Sequence, residues 1–133
     1  MKVFIDTSAF LAVLDKNDIN HPEARAQWIK MLESGEEPVC HNYILVETSA
    51  VILRKLGIEA VRVFQRDVVP AVHVVWVTRE IHEAAAGAHL LAGRRKLSLV
   101  DCVSFEIMRR TGLNMAFAFD RHFQDFGYKT TPA

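Results

Sequence analysis

The sequence predicts an α/β fold in which a mostly parallel sheet of four or five strands is covered by helices. Short β-branched and aromatic runs alternate with segments whose apolar residues recur at helical spacing. Strands that alternate with helices form right-handed βαβ units, which build a parallel sheet with helices on both faces. The chain has 133 residues, of which 50% are hydrophobic, and this suits one continuous core. We therefore expect residues 1–133 to form a single domain.

The first half of the chain predicts two strands and four helices, each bounded by a local signal. Asp6 caps the first helix, Pro22 opens the second, and Asn42 caps the third. Gly35 and Gly57 end the second and third helices. The predicted strands span residues 2–5 and 38–40, and the predicted helices span residues 7–15, 21–34, 42–56 and 58–69.

The second half predicts three further strands and two helices. Pro70 ends the preceding helix, because proline cannot continue the hydrogen-bond ladder. Thr78 and Ser98 each precede a helical pattern as capping residues, and Gly93 and Gly112 lie where those patterns stop. The predicted strands span residues 72–77, 115–119 and 126–130, and the helices run from 79 to about 93 and from 99 to 112.

Four acidic residues are predicted to meet at one edge of this sheet. Asp6 and Asp120 end apolar strands, whereas Glu47 and Asp101 lie in the first turns of helices that begin near the same edge. Ligands of open parallel sheets bind at the carboxyl ends of the strands. Asp6 alone has an explanation as a helix cap, Asp120 as a turn residue and Glu47 as an acid that complements the helix dipole. Asp101, between Val100 and Cys102 in a helix expected to be buried, instead needs a partner. The joint pattern indicates a functional site.

Such a carboxylate cluster requires a cation. Carboxylates about 4 Å apart repel by about 4 kcal/mol per pair at a near-surface dielectric. Oxygen donors without cysteine or histidine suit Mg²⁺ or Mn²⁺, and one or two such ions support phosphodiester hydrolysis. The six histidines and two cysteines show no metal-ligand spacing, so we expect structural or surface roles for them. His122, beside Asp120, is a weak candidate for a phosphate contact.

The motifs that carry these acids resemble the PIN domain family, and especially the VapC ribonuclease toxins of toxin–antitoxin pairs. The matching segments are Val3-Phe4-Ile5-Asp6-Thr7-Ser8, Glu47, Leu97-Ser98-Leu99-Val100-Asp101 and Ala118-Phe119-Asp120-Arg121-His122-Phe123. The resemblance implies a three-layer PIN-like fold and assigns catalysis and metal binding to Asp6, Glu47, Asp101 and Asp120. It implies supporting hydroxyls at Thr7, Ser8 and Ser98. Ala118 departs from the pattern, because family members often carry threonine there.

The same resemblance implies a metal-dependent endoribonuclease that cuts structured RNA. It also implies a cognate antitoxin of the VapB type, which inserts a segment beside the acidic site, and a homodimer. Arg94, Arg95, Lys96 and Arg121 flank the acids in the sequence and are candidate phosphate contacts. A solvated charge run is an equally good explanation of them.

Charge and hydropathy narrow the function classes. The 16 basic and 16 acidic residues give a net charge of zero, so no strong overall polyelectrolyte field is expected. No apolar run approaches the roughly 20 residues of a membrane span. The chain enters a strand pattern at Lys2 without an apparent signal peptide, so we expect a cytoplasmic protein.

Three alternatives stay open at this point. A catalytically silent protein of the same fold would bind RNA or act as a scaffold, although the four acids argue against it. A phospho-receiver signalling domain also gathers acids at strand ends, but it requires paired acids after the first strand and a lysine after a late strand. This chain has Asp6-Thr7 and Asp120-Arg121 instead. The residues themselves do not distinguish RNA from DNA as the substrate.

Overall fold

The computed structural model describes residues 1–133 and contains one five-stranded parallel sheet and seven α-helices. The strands are β1 (Lys2–Ile5), β2 (Glu37–His41), β3 (His73–Val75), β4 (Met115–Phe117) and β5 (Lys129–Thr131). The helices are α1 (Thr7–Leu14), α2 (His21–Ser34), α3 (Asn42–Leu56), α4 (Ile58–Val63), α5 (Arg79–Ala92), α6 (Leu99–Thr111) and α7 (His122–Asp125). The predicted α/β fold is confirmed. None of the helices has the length and apolar character needed to cross a membrane.

The sheet places the end of β1 at the centre of its carboxyl edge. The strand order is β3-β2-β1-β4-β5, and all four neighbouring pairs are parallel. Ile5 lies in register with Phe117, and the Asp6 N–H then donates to the Phe117 carbonyl at 3.0 Å. Asp6 is thereby held beside the segment that follows β4. Because that segment carries Asp120, the two acids share one edge of the sheet.

Strands β4 and β5 are shorter than predicted. β4 ends at Phe117, because Phe119 donates its N–H to the Ser8 hydroxyl rather than to a neighbouring strand. Asp120 therefore follows β4 by three residues instead of ending it. The last strand was predicted over 126–130, but α7 and its terminal turn occupy residues 122–127. The pairing with β4 consequently begins only at Lys129.

The helix predicted over 58–69 does not continue as one α-helix. After α4 the chain forms a π-helical turn over Phe64–Val68 and a 3₁₀ turn over Val69–Ala71. The Val69 N–H donates to the Phe64 carbonyl five residues earlier. Pro70 lies within the 3₁₀ turn, where its missing N–H is tolerated. Phe64 is fully buried and packs edge-on against Phe10, with ring centroids 5.3 Å apart.

A buried histidine connects the elements that carry two of the acids. His41, not Asn42, caps α3, because its Nδ1 accepts the Ile44 N–H at 3.3 Å. The ring proton must then lie on Nε2, which donates to the Ser104 hydroxyl at 2.9 Å. Ser104 in turn donates to the Val100 carbonyl at 3.0 Å. Burial lowers the His41 pKa to about 3, so the ring is neutral and fixes α3 against α6.

Replacing Ser104 should therefore destabilise the protein. Ser104→Ala leaves the buried His41 Nε2–H without a partner, and we expect the free energy of unfolding to fall by about 1–3 kcal/mol. Thr111→Ala is the matched control, because the Thr111 hydroxyl makes the same kind of bond, to Ile107 on α6, but bridges no other element. Urea unfolding at pH 7.5 measures both. Equal losses in the two variants would contradict the bridging role.

Candidate active site

All four predicted acids line one open cleft of about 320 Å³ at the carboxyl edge of the sheet. The cleft also contains the three predicted hydroxyl residues and one of the four predicted basic residues. Its lining residues are Asp6, Thr7, Ser8, Leu11, Glu47, Lys96, Ser98, Asp101 and Asp120. The fold thus brings together side chains that are up to 114 positions apart, from Asp6 to Asp120, in the sequence.

Asp6 is the most deeply buried acid of the cleft, with 5% of its surface exposed. It caps α1, and its Oδ2 accepts the Ser8 N–H at 3.1 Å and the Ser8 hydroxyl at 2.6 Å. Burial raises the Asp6 pKa to about 7; the Ser8 hydrogen bonds oppose this shift, and the charges of Asp101 and Asp120 add to it. Without a cation, Asp6 is therefore only partly ionised near neutral pH.

Ser8 and Thr7 connect the acids through their hydroxyl groups. The Ser8 Oγ donates to Asp6 and accepts the Phe119 N–H at 3.0 Å, so it ties Asp6 to the residue before Asp120. The Thr48 hydroxyl donates to the Thr7 hydroxyl at 3.1 Å, next to Glu47 on α3. Both hydroxyls therefore make specific contacts between elements and are more than caps of α1.

Asp101 is fixed at the start of α6 by a reciprocal pair of hydrogen bonds with Ser98. Its Oδ2 accepts the Ser98 N–H at 3.1 Å, and its own N–H donates to the Ser98 hydroxyl at 3.0 Å. This capping box satisfies two otherwise free backbone donors at the helix start. Asp101 is 8% exposed, so the pair holds a buried carboxylate in one orientation toward the cleft.

His122 lies between two of the acids, where sequence reasoning did not place it. Its Nδ1 is 3.1 Å from Asp120 Oδ1 and 3.2 Å from Asp101 Oδ2. Neither contact is aligned as a hydrogen bond, and the buried Nδ1 has no hydrogen-bond partner. The sequence offered His122 as a weak candidate for a phosphate contact, and the structure adds its position beside Asp101 and Asp120. Its position two residues after Asp120 was the available signal, but its closeness to Asp101 depends on the tertiary fold.

The basic residues divide into one that faces the acids and three that do not line the cleft. Lys96 is exposed, lines the cleft and makes no ion pair. Arg94 instead lies 4.0 Å from Asp125 and over the Phe126 ring. Arg95 and Arg121 are exposed outside the cleft. Among the four candidates, the structure favours Lys96 as a phosphate contact.

The donor set fits a hard divalent cation. Asp6, Glu47, Asp101 and Asp120 form no ion pair with any lysine or arginine, so their charge has no protein counter-ion other than His122 when it is protonated. Asp101, Asp120 and His122 present donor atoms that all lie within 4.8 Å of one another. Carboxylate oxygens are the preferred ligands of Mg²⁺ and suit Mn²⁺ as well.

Comparisons with known proteins identify relatives of this chain. The family model described as the PIN domain matches residues 3–128. Two curated proteins named 23S rRNA-specific endonuclease VapC20, from two strains of Mycobacterium tuberculosis, are each 31% identical to this chain over 129 residues, covering 95% of both chains. These matches rule out the phospho-receiver alternative.

Two solved structures have the same fold. The crystal structure of Mycobacterium tuberculosis VapC20, described as a Sarcin-Ricin loop cleaving toxin, superposes with a TM-score of 0.84 at 29% identity over 95% of each chain. FitAcB from Neisseria gonorrhoeae superposes with a TM-score of 0.68 at 12% identity, over 98% of this chain and 96% of that one.

The burial of Asp6 predicts an unusual pH dependence in metal-free protein. Because its folded pKa of about 7 exceeds the ordinary value of 3.8, Asp6 contributes stability below pH 4 that is lost as the pH rises through 7. Asp6→Asn cannot ionise at this position. With chelator at pH 7.5, its free energy of unfolding should therefore be up to about 4 kcal/mol higher than that of wild type. The difference should vanish near pH 4.

Asp15→Asn is the matched control. The Asp15 carboxylate accepts a hydrogen bond from the backbone N–H two residues later, at Asn17, as Asp6 does from Ser8, but this hydrogen bond is exposed to solvent. It should leave the stability unchanged at both pH values. The opposite pH dependence of His41 is common to all these proteins and cancels in the comparison. A gain in Asp6→Asn that is independent of pH would contradict the assigned cause.

Proposed function

The chain belongs to the PIN domain family, and from that premise we propose that it is a metal-dependent endoribonuclease, the toxin of a toxin–antitoxin pair, acting as a single domain. The observation that carries the proposal is the meeting of Asp6, Glu47, Asp101 and Asp120 in one cleft without a lysine or arginine partner. Their catalytic role in hydrolysing a phosphodiester bond is part of the proposal.

Each of three carboxylates has one oxygen held by the protein and one oxygen free of protein hydrogen bonds. Ser8 holds Asp6 Oδ2, Ser98 holds Asp101 Oδ2, and the His122 N–H donates to Asp120 Oδ1 at 2.9 Å. These three carboxylates, together with Glu47, would hold one or two Mg²⁺ or Mn²⁺ ions. Such ions, when bound, generate a nucleophile from water at neutral pH and stabilise charge on the scissile phosphate.

The substrate is structured RNA, and the large ribosomal RNA is the first candidate. The support is the likeness to VapC20, whose name and description assign it to 23S rRNA and the sarcin-ricin loop. Lys96 stands at the rim of an otherwise acidic cleft, so it is suited to hold a backbone phosphate near the acids. The site of action is then the cytoplasm.

The partners are a VapB-like antitoxin and a second copy of the chain. The antitoxin would block the cleft by inserting a segment beside the acids. Exposed apolar residues on the two adjoining helices support protein contacts: Val46 and Leu53 on α3 are 69% and 52% exposed, and Ile58 and Val63 on α4 are 51% and 44% exposed. We propose these residues as the contact region, because exposed apolar patches mark interaction surfaces.

Loss of one metal-site acid should abolish cleavage. Asp101→Asn keeps the bonds to Ser98 but removes the charge, and we expect the rate of Mn²⁺-dependent cleavage of purified ribosomes to fall at least about a hundredfold. Asp18→Asn, which changes an acid outside the cleft, should cleave at the wild-type rate. End-mapped RNA fragments give the readout. Cleavage by Asp101→Asn at the wild-type rate would contradict the site assignment. Absence of cleavage by the wild-type protein would favour the catalytically silent, RNA-binding alternative.

Lys96→Ala should weaken RNA binding with little change in the chemical step. We expect KM to rise by about threefold to tenfold. The slope of the logarithm of RNA affinity against the logarithm of salt concentration should decrease in magnitude by about one. Arg95→Ala, a neighbouring cation outside the cleft, is the control and should change neither. Steady-state cleavage at several salt concentrations distinguishes an effect on RNA binding from an effect on the chemical step. A larger effect from Arg95→Ala would move the phosphate contact to the other basic residues.

A further inference from the structure

We propose that His122 is a direct ligand of the metal ion, so that the site contains one nitrogen donor among its carboxylates. This inference rests on the proposed function, because it concerns the same metal. It departs from the all-oxygen site expected from the sequence. The argument uses the distances around the imidazole, the burial of Nδ1 and the way in which the backbone of His122 is held.

The spacing of His122 from both acids is that of neighbouring ligands on one ion. Two ligands at right angles, each about 2.1 Å from an octahedral ion, lie about 3 Å apart. His122 Nδ1 is 3.1 Å from Asp120 Oδ1 and 3.2 Å from Asp101 Oδ2. Each of these oxygens accepts one backbone N–H, from His122 and Ser98 respectively, and keeps a second lone pair that a metal ion can use. Nδ1 therefore stands at ligand spacing from two carboxylates that come from different parts of the chain.

The close polar neighbours of the imidazole Nδ1 are the carboxylates of Asp101 and Asp120. Nδ1 is buried, and neither carboxylate oxygen forms a hydrogen bond with it. A buried polar atom without a hydrogen-bond partner is destabilising. A metal ion between the carboxylates would satisfy this atom and neutralise the acids at the same time.

The backbone that carries the imidazole is held in place from both sides along the chain. Asp120 Oδ1 accepts the His122 N–H at 2.9 Å, which fixes the backbone next to the acid. The following residue, Phe123, is fully buried and packs against Phe4 and Phe105, with centroid distances of 6.0 and 5.1 Å. The Cα of His122 is therefore anchored beside the acids.

A nitrogen donor changes which metal the site prefers. Imidazole favours transition metals, whereas Mg²⁺ is held almost entirely by oxygen. The site should consequently bind Mn²⁺ in preference to Mg²⁺. Removing His122 should weaken Mn²⁺ binding by about tenfold or more and Mg²⁺ binding by less.

Electron spin echo envelope modulation of the Mn²⁺-loaded wild-type protein tests the proposal directly. A coordinated imidazole gives nitrogen modulation, and we expect that signal in wild type and its loss in His122→Gln. His73→Gln, which replaces an exposed histidine on β3, is the matched control and should retain the signal. Calorimetric titration of the same proteins with Mn²⁺ and Mg²⁺ gives the two affinities.

Absence of nitrogen modulation from fully loaded wild-type protein would overturn the proposal, even if His122→Gln failed to fold. Modulation that persists in folded His122→Gln would overturn it too. RNA cleavage is scored separately, so the two proposals fail in distinguishable ways. Cleavage without nitrogen modulation removes the His122 ligand and leaves the ribonuclease, whereas modulation without cleavage removes the ribonuclease and leaves the ligand.

Discussion

The structure depends on holding several carboxylates together without a lysine or arginine to neutralise them. Asp6, Asp101 and Asp120 are brought to one cleft, and the high pKa of buried Asp6 reflects the unfavourable energy of ionising it there. Packing and backbone hydrogen bonds supply the stability that this arrangement requires. A divalent ion bound there would offset the repulsion, so the feature that weakens the metal-free fold is the one that would give the proposed metal site its affinity.

The scaffold around the acids consists of short polar contacts between distant elements. Ser8 ties β1 to the segment after β4, and Ser98 fixes Asp101 at the start of α6. Deeper in the core, neutral His41 and Ser104 join the start of α3 to α6. These contacts fix the positions of the acids at the cleft, which Glu47 on α3 also lines.

The sequence predicted the parallel sheet and the residues that line its edge, because strand and helix signals at Asp6, Gly35, Thr78 and Ser98 are local. The π-helical turn at Phe64 and the cap by His41 depend on tertiary packing and were missed. The position of His122 between two acids was missed for the same reason. Spacing along the chain shows its nearness to Asp120, whereas its nearness to Asp101 arises only when α6 and α7 meet at the sheet edge.

The most direct test of the central claim is anomalous scattering from crystals of the protein soaked in Mn²⁺. The account predicts a manganese peak in the cleft, bonded to carboxylate oxygens of Asp6, Asp101 and Asp120, in wild type but not in Asp101→Asn. Such a peak would place the metal where the ribonuclease chemistry is proposed. A fully soaked crystal with manganese bound elsewhere, or with none in the cleft, would contradict the account.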